Sequence, residues 1–229
     1  MLTNPIKSLT KREWVLWMAS LAIVIISNAV GDKLDLLTLL AVSIGVTSLI
    51  FAAKGNVWAQ ILIVFFSILY GIISWRFRYW GEMITYLGMT LPMAVWSTVT
   101  WLKNPSKSGH EVAIAKLRAK HFALLAVFTA VFTAAVTLVF YFILKALDTP
   151  NLVISTVSVT TSFLAASLTM LRSSYYALGY AANDLVLIVM WVLASVQDTV
   201  YIPVAVNFAI FFINDMYGFI CWKQRERQG

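Results

Sequence analysis

Hydrophobic residues occur in eight long runs separated by short polar breaks, a pattern typical of helices that cross a membrane. A hydrocarbon core of about 30 Å takes about 20 helical residues to cross. The pattern therefore predicts an all-α polytopic membrane protein with eight transmembrane helices. Their predicted ranges are 14–30, 36–53, 57–74, 83–101, 122–147, 152–171, 175–196 and 200–222.

The lengths of the breaks group these helices. Helices two to four follow each other closely, as do helices six to eight, whereas the long connection 102–121 precedes helix five. Because a single helix links the two triplets, both would have the same orientation, as in a parallel repeat about an axis along the membrane normal. The sequence thus predicts one transmembrane domain, 1–229, made of an extra helix (14–30), a first three-helix repeat (36–101), a linker helix (122–147) and a second three-helix repeat (152–222).

A shift of the sequence by 121 residues aligns aromatic residues of the two predicted repeats. Aromatic residues are so frequent that about two such matches would arise by chance, which makes the alignment suggestive. The aligned pairs are Tyr70 with Trp191, Trp80 with Tyr201, Trp96 with Tyr217, and Trp101 with Trp222.

Composition and charge exclude several classes of protein. The chain is 61% apolar and 12% charged, whereas a soluble domain is about half apolar and a quarter charged. The net charge of +7 does not indicate a nucleic-acid partner, because the basic residues lie between the hydrophobic runs. With a cytoplasmic N-terminus, 13 of the 17 Lys and Arg residues fall on the cytoplasmic side, which predicts that both termini are cytoplasmic. The exception is the third connection, where Glu82 opposes Arg76 and Arg78.

The sequence also lacks the motifs of common membrane enzymes. HExxH, GxSxG and Walker A sequences are absent, and we expect His110 and His121 in the long basic loop to be solvated. The single cysteine, Cys221, excludes an intrachain disulfide. We therefore predict that the protein is not an enzyme and uses no cofactor or metal. We expect the first hydrophobic run to be retained as a helix, since no convincing signal cleavage site follows it.

Polar side chains inside transmembrane helices are costly and are the first candidates for a functional site. The seventh helix carries several at spacings of three and four residues, on one face. They are Tyr176, Tyr180, Asn183, Asp184 and Trp191. Their rings would stack on a flat ligand, while the amide and carboxylate groups would bind its polar edge. Candidates on helices three, four and eight are Gln60, Ser67, Tyr70, Tyr86, Trp96, Asn207 and Asn214.

A purely structural role is the alternative for several of these polar residues. Amides and hydroxyls often hold membrane helices together, contributing about 0.6 kcal/mol each. Asp184 would face a watery cavity, bind a ligand or be protonated, whereas we expect Asp215 to reach the interface or pair with Arg172. Pro92 would kink the fourth helix. Tryptophans near helix ends are predicted to be membrane-interface anchors, namely Trp14, Trp58, Trp101 and Trp222.

Three sequence features together resemble a known family. They are the seventh-helix sequence from Gly179 to Asp184, the pair Tyr217-Gly218 followed by Trp222, and the spacing of Tyr86, Pro92 and Trp96. Over residues 36–222 the chain resembles the PnuC nicotinamide riboside transporters. Many relatives carry two tryptophans three residues apart ahead of the seventh-helix polar position, where this chain has Ala177 and Tyr180.

This resemblance implies a three-plus-one-plus-three bundle similar to that of SWEET sugar transporters, and a homotrimer in the bacterial inner membrane. It implies facilitated diffusion of nicotinamide riboside, whose cationic ring suits aromatic faces and a carboxylate. A cytoplasmic riboside kinase would trap the solute as a nucleotide for NAD biosynthesis. The alternatives are transport of thiamine or riboflavin, a proton-coupled carrier of a polar aromatic solute, and an interaction subunit without transport.

Overall fold

The computed structural model describes residues 4–29, 35–107, 109–148 and 151–228, and these residues form a helical bundle. The predicted breaks at 31–33 and 149–150, and residue 30 at the end of the first predicted helix, lie outside the described residues. The helices are α1 (Lys11–Ala29), α2 (Leu36–Ala53), α3 (Trp58–Arg76), α4 (Trp80–Thr85), α5 (Leu91–Lys103), α6 (Ala119–Ala146), α7 (Leu152–Met170), α8 (Tyr176–Gln197) and α9 (Ile202–Gln228). Short 3₁₀ turns lie at Pro5–Ser8 and Thr199–Tyr201.

The all-helical, multi-pass membrane character that the sequence predicts is confirmed. Among the described residues, six helical segments are long and apolar enough to cross a membrane: α1, α2, α3, α7, α8 and the segment Thr199–Gln228 that contains α9. The fourth predicted helix is instead divided into α4 and α5, each shorter than a membrane crossing. The count of eight crossings and the cytoplasmic termini therefore remain predictions.

Pro92 explains the division between α4 and α5. It lies in the first turn of α5, where its ring replaces a backbone N–H and crowds the preceding turn. A π-helical turn forms at Tyr86–Thr90, in which the Leu91 N–H donates a hydrogen bond to the carbonyl of Tyr86. A π turn holds more residues than an α turn, so the residues after it face different neighbours from those expected in a continuous helix.

Small residues set the spacing between α7 and α8. A Cβ at Gly179 would lie 3.0 Å from the Cα of Ala165, so the two helices approach closely because this position has no side chain. Helix α2 contacts α3 and α9, α5 contacts α3 and α7, and α9 also contacts α8. The extra helix α1 lies against α2 and α9, whereas α6 packs mainly on α7.

Two predicted interface anchors lie instead in the core. Trp101 and Trp222 are fully buried, and their rings lie 5.5 Å apart. Trp101 Nε1 donates to the carbonyl of Thr169, and Trp222 Nε1 donates to the carbonyl of Ala52. The anchor prediction is wrong for both, because each indole N–H satisfies a carbonyl at the end of a neighbouring helix. Trp14 and Trp58, by contrast, are exposed.

The connection between α5 and α6 forms hydrogen bonds to the turns that link two other pairs of helices. The Val112 N–H bonds the carbonyl of Gly55, in the turn between α2 and α3. The Ala115 N–H bonds the carbonyl of Arg172, in the turn between α7 and α8. Arg225 near the end of α9 completes the contact by pairing with Glu111 at 3.0 Å. This end of the bundle is thus held by backbone and charge contacts across three connections.

Candidate functional site

The predicted face of α8 lies inside the bundle. Tyr176, Asn183, Asp184 and Trp191 are buried, while Tyr180 is half-buried. These residues share a face because their spacings of three and four match the helical period. The arrangement places aromatic, amide and carboxyl groups together in an apolar interior, as the periodicity predicts.

Four aromatic side chains, Tyr70, Tyr79, Tyr86 and Trp191, form a central aromatic cluster. The indole Nε1 of Trp191 donates a 3.0 Å hydrogen bond to the phenol oxygen of Tyr70. The ring centroids of Tyr70 and Tyr86 lie 4.4 Å apart, and those of Tyr79 and Trp191 lie 4.6 Å apart. Aromatic rings at these distances attract one another through their edges and faces, and an aromatic face also attracts a cation.

Asn183 is held by α7. Its side-chain oxygen accepts hydrogen bonds from Thr161 Oγ1 at 2.7 Å and from Ser162 Oγ at 3.0 Å. Two hydroxyl donors fix the orientation of the amide, so its NH₂ group points away from them as a defined donor. The α7 contribution is absent from the predicted site, although the recurrence of Ser155, Ser158 and Ser162 at helical spacing is a signal for it.

Two carboxyl groups meet between α8 and α9. Asp184 and Asp215 are each 4% exposed and lie within hydrogen-bonding reach of each other. Among the described residues neither forms an ion pair with Lys or Arg. Adjacent buried carboxylates repel each other unless a proton is shared between them, so this carboxyl pair carries one negative charge at most.

The expected pairing of Asp215 with Arg172 is wrong. Arg172 lies in the turn after α7 and donates through Nη1 to the carbonyl of Ala113 at 3.2 Å. Burial lowers the pKa of its guanidinium from the ordinary value. Asp215 points inward instead, because it shares a helical face with Phe211, Gly218 and Trp222, all of which are buried.

Glu82 is also a buried carboxylate, although the sequence predicts that it lies in an outer connection opposite Arg76 and Arg78. It is fully buried in the first turn of α4, where it accepts a hydrogen bond from Ser158 Oγ. Its other oxygen has no hydrogen-bond partner among the described residues.

Arg76, which the sequence places opposite Glu82, pairs instead with Asp35 at 3.1 Å. Burial alone would raise the pKa of Asp35, but hydrogen bonds from Thr38 and Arg76 hold it below its ordinary value.

Two predicted site residues bond the extra helix α1. Asn214 Nδ2 donates to Ser20 Oγ at 2.9 Å, and Asn28 Nδ2 donates to Asn207 Oδ1 at 3.4 Å. These contacts are those of amides that hold helices together. Asn207 also lines a narrow cavity with Tyr70, which is too small for a nucleoside but large enough for a water molecule.

The remaining predicted site residues divide between interior and surface. Gln60 is buried, and Ser67 is buried with its hydroxyl bonded to the carbonyl of Ile63 at 2.7 Å. Trp96 is 64% exposed on the outside of α5, so the structure does not bring it to the central aromatic cluster. Residues Ala94, Ser97 and Trp101 form the packed face of α5. Trp96 precedes Ser97 by one residue, which rotates it by about 100° around the helix.

The described residues contain no group of three or more His, Cys, Asp or Glu side chains arranged to hold a metal ion. The groups that could contact a ligand are therefore rings, amides, hydroxyls and carboxyls. Such a mixture can bind a polar aromatic solute reversibly.

Comparisons with known proteins agree with this description. The family model described as nicotinamide mononucleotide transporter matches residues 35–224. The fold is similar to the crystal structure of the vitamin B3 transporter PnuC, with a TM-score of 0.81 at 21% identity, over 94% of this chain and 92% of that chain. At this identity the likeness shows a shared fold. No curated protein matches the sequence significantly.

Proposed function

Because the chain belongs to the nicotinamide mononucleotide transporter family, we propose that it carries nicotinamide riboside across the membrane by facilitated diffusion. The observation that carries this proposal is the contact between Tyr70 and Trp191, which holds aromatic rings from α3 and α8 together beside interior amide and carboxyl groups. A riboside with a flat ring and several hydroxyls needs both kinds of contact.

In this proposal each part of the solute meets a different set of side chains. The pyridinium ring stacks against the central aromatic cluster, and Tyr180 contacts the edge of the pyridinium ring. The ribose hydroxyls bond the NH₂ group of Asn183 and the amide of Gln60. The carboxyl pair of Asp184 and Asp215 balances the positive charge of the ring.

Alternating access would come from rocking the two triplets, 36–101 and 152–222, against each other. Matching contacts support this division. Trp101 of the first triplet bonds the next-to-last residue of α7, and Trp222 of the second bonds the next-to-last residue of α2. Equivalent bonds in both directions are expected when two similar units are related by an axis between them.

The wider setting of transport follows from the family resemblance. We place the protein in the bacterial inner membrane as a homotrimer with cytoplasmic termini. Uptake would be driven by a cytoplasmic riboside kinase, since phosphorylation adds negative charge to the solute and prevents its return. The protein itself would then need neither ATP nor an ion gradient.

Flux into proteoliposomes tests this function. The purified chain should admit labelled nicotinamide riboside saturably, and an uncoupler should leave the rate unchanged. Unlabelled riboside should compete far better than thiamine or riboflavin. Liposomes without protein give the background, and absence of saturable flux would favour an interaction subunit instead.

The contact between Asp184 and Asp215 favours one second candidate, a proton-coupled carrier. Paired interior carboxyls are the groups that proton-driven transporters use. In that case flux would fall when an uncoupler is added, and Asp184→Asn would make the remaining flux insensitive to it. The same liposome preparation distinguishes the two mechanisms.

A further inference from the structure

Glu82 differs from the carboxyl pair in having no acidic group to share a proton with. It is fully buried, one oxygen accepts a hydrogen bond from Ser158, and the other has no partner among the described residues. No described Lys, Arg or His forms an ion pair with it. An isolated buried carboxylate is costly, and a positively charged group beside it removes that cost.

The surroundings of Glu82 are aromatic. Tyr79 precedes Glu82 by three residues and Tyr86 follows it by four, spacings that place the three side chains on one face of α4. Two members of the central aromatic cluster therefore share a helix face with this carboxylate, and a third, Tyr70, packs on Tyr86 with ring centroids 4.4 Å apart. The fourth, Trp191, bonds Tyr70 and packs on Tyr79. Aromatic faces together with a carboxylate form the type of site that binds cations of low hydration, such as charged heteroaromatic rings.

We propose that Glu82 and the central aromatic cluster select solutes whose ring carries a positive charge. This inference rests on the proposed function and deepens it, because it adds Glu82 to the carboxyl pair of Asp184 and Asp215 as a group that meets the positive charge of the ring. Ser158 fixes one oxygen of Glu82, and the unpartnered oxygen faces the charged ring. A neutral ring of the same shape keeps the stacking contacts but leaves the carboxylate unpaired.

Nicotinamide riboside and its 1,4-dihydro form test charge selection directly, since both carry the same ribose and amide but only the first has a cationic ring. Binding is measured by isothermal titration on the purified full chain. We expect the wild type to bind the cationic form at least about 10-fold more tightly than the neutral form. Equal affinity for the two forms, or tighter binding of the neutral form, overturns the proposal without any variant.

Glu82→Gln removes the charge and keeps a carbonyl oxygen for Ser158. We expect it to weaken binding of the cationic form by about 10-fold or more and to change binding of the neutral form by less than about 3-fold. Glu226→Gln, which removes a carboxylate paired with Lys223 near the end of α9, should leave the ratio of the two affinities unchanged. Equal losses for both forms in Glu82→Gln would mean a structural role and overturn the proposal.

The two proposals fail in different ways. If the wild type binds neither form of the riboside, the proposed function fails, and the charge selection is tested with thiamine, a cation, and riboflavin, which is neutral. Binding of thiamine that Glu82→Gln weakens supports the role of Glu82. Binding of riboflavin alone, or of no member of either pair, overturns it.

Discussion

Trp191 Nε1 donates a 3.0 Å hydrogen bond to the phenol oxygen of Tyr70, a residue 121 positions earlier in the chain. Trp101 and Trp222 have the same separation in sequence, and their rings lie 5.5 Å apart. In two units related by a two-fold axis, equivalent residues contact each other where they lie near the axis. Both contacts therefore support the proposed parallel repeat and indicate that its axis passes through the central aromatic cluster.

Trp191→Ala should weaken binding of nicotinamide riboside by about 10-fold or more, because it removes both a stacking ring and the donor to Tyr70. Val192→Ala is the matched control, since Val192 is the next residue of α8 and is 45% exposed. Isothermal titration of both variants measures the difference. Equal affinities in the two variants would exclude the central aromatic cluster as the binding site.

Asp184→Asn and Asp215→Asn should each give a protein about as thermostable as the wild type. An amide N–H donates to the remaining carboxylate and so replaces the shared proton. Asp184→Ala should lower the free energy of unfolding by about 1–3 kcal/mol, because it leaves Asp215 buried without its partner. Thermal unfolding in one detergent ranks the three variants. Loss of stability in both Asn variants, equal to that in Asp184→Ala, would contradict a shared proton.

The sequence predicts those features that depend on the period of one uninterrupted helix. The face of α8 from Tyr176 to Trp191 is buried as expected, because residues three and four apart in one helix share a face whatever its neighbours are. The same reasoning does not hold for Trp96. The π turn at Tyr86–Thr90 lies between Trp96 and the helix start and changes the face on which later residues lie.

The predicted positions of Glu82 and Asp215 are wrong for a different physical reason. Both lie near a predicted helix end, where a charged residue is usually solvated. Their burial depends on partners from distant parts of the chain, namely Ser158 on α7 for Glu82 and Asp184 on α8 for Asp215. Sequence periodicity contains no information on which helices become neighbours, so only the tertiary structure reveals these contacts.

Asp35 should make stability depend on pH in acidic solution. Its carboxylate caps α2 through the Leu37 N–H and pairs with Arg76, and its folded pKa lies below the ordinary value of 3.8. A carboxyl group with a lowered folded pKa stabilises the fold fully above its unfolded pKa and loses that contribution as pH falls through the folded pKa. The wild type should therefore lose thermal stability below about pH 4.

Asp35→Asn removes the charge of Asp35 but keeps its role as the N-cap of α2. The amide oxygen still accepts from the Leu37 N–H, whereas the attraction to Arg76 is lost. We expect this variant to unfold at a slightly lower temperature than the wild type at pH 7 and to lose less stability on acidification. If the unfolding temperatures of the two proteins fall equally as the pH is lowered, Asp35 does not contribute to the pH dependence of stability.

Gly55→Ala should loosen the end of the bundle where the α5–α6 connection is bound. Gly55 has φ +68°, and an added Cβ would lie 2.4 Å from Arg225 Nη1. This Nη1 bonds Glu111 of that connection and the carbonyl of Lys54.

Gly109→Ala is a matched control, because Gly109 has φ +72° with nothing within 4 Å of the added Cβ. Both variants introduce the same backbone strain, of about 1 kcal/mol. Gly55→Ala alone displaces Arg225, so it should unfold at a lower temperature and expose the connection to protease sooner. Equal thermal shifts and equal cleavage rates in the two variants would mean that Arg225 does not hold the connection in place.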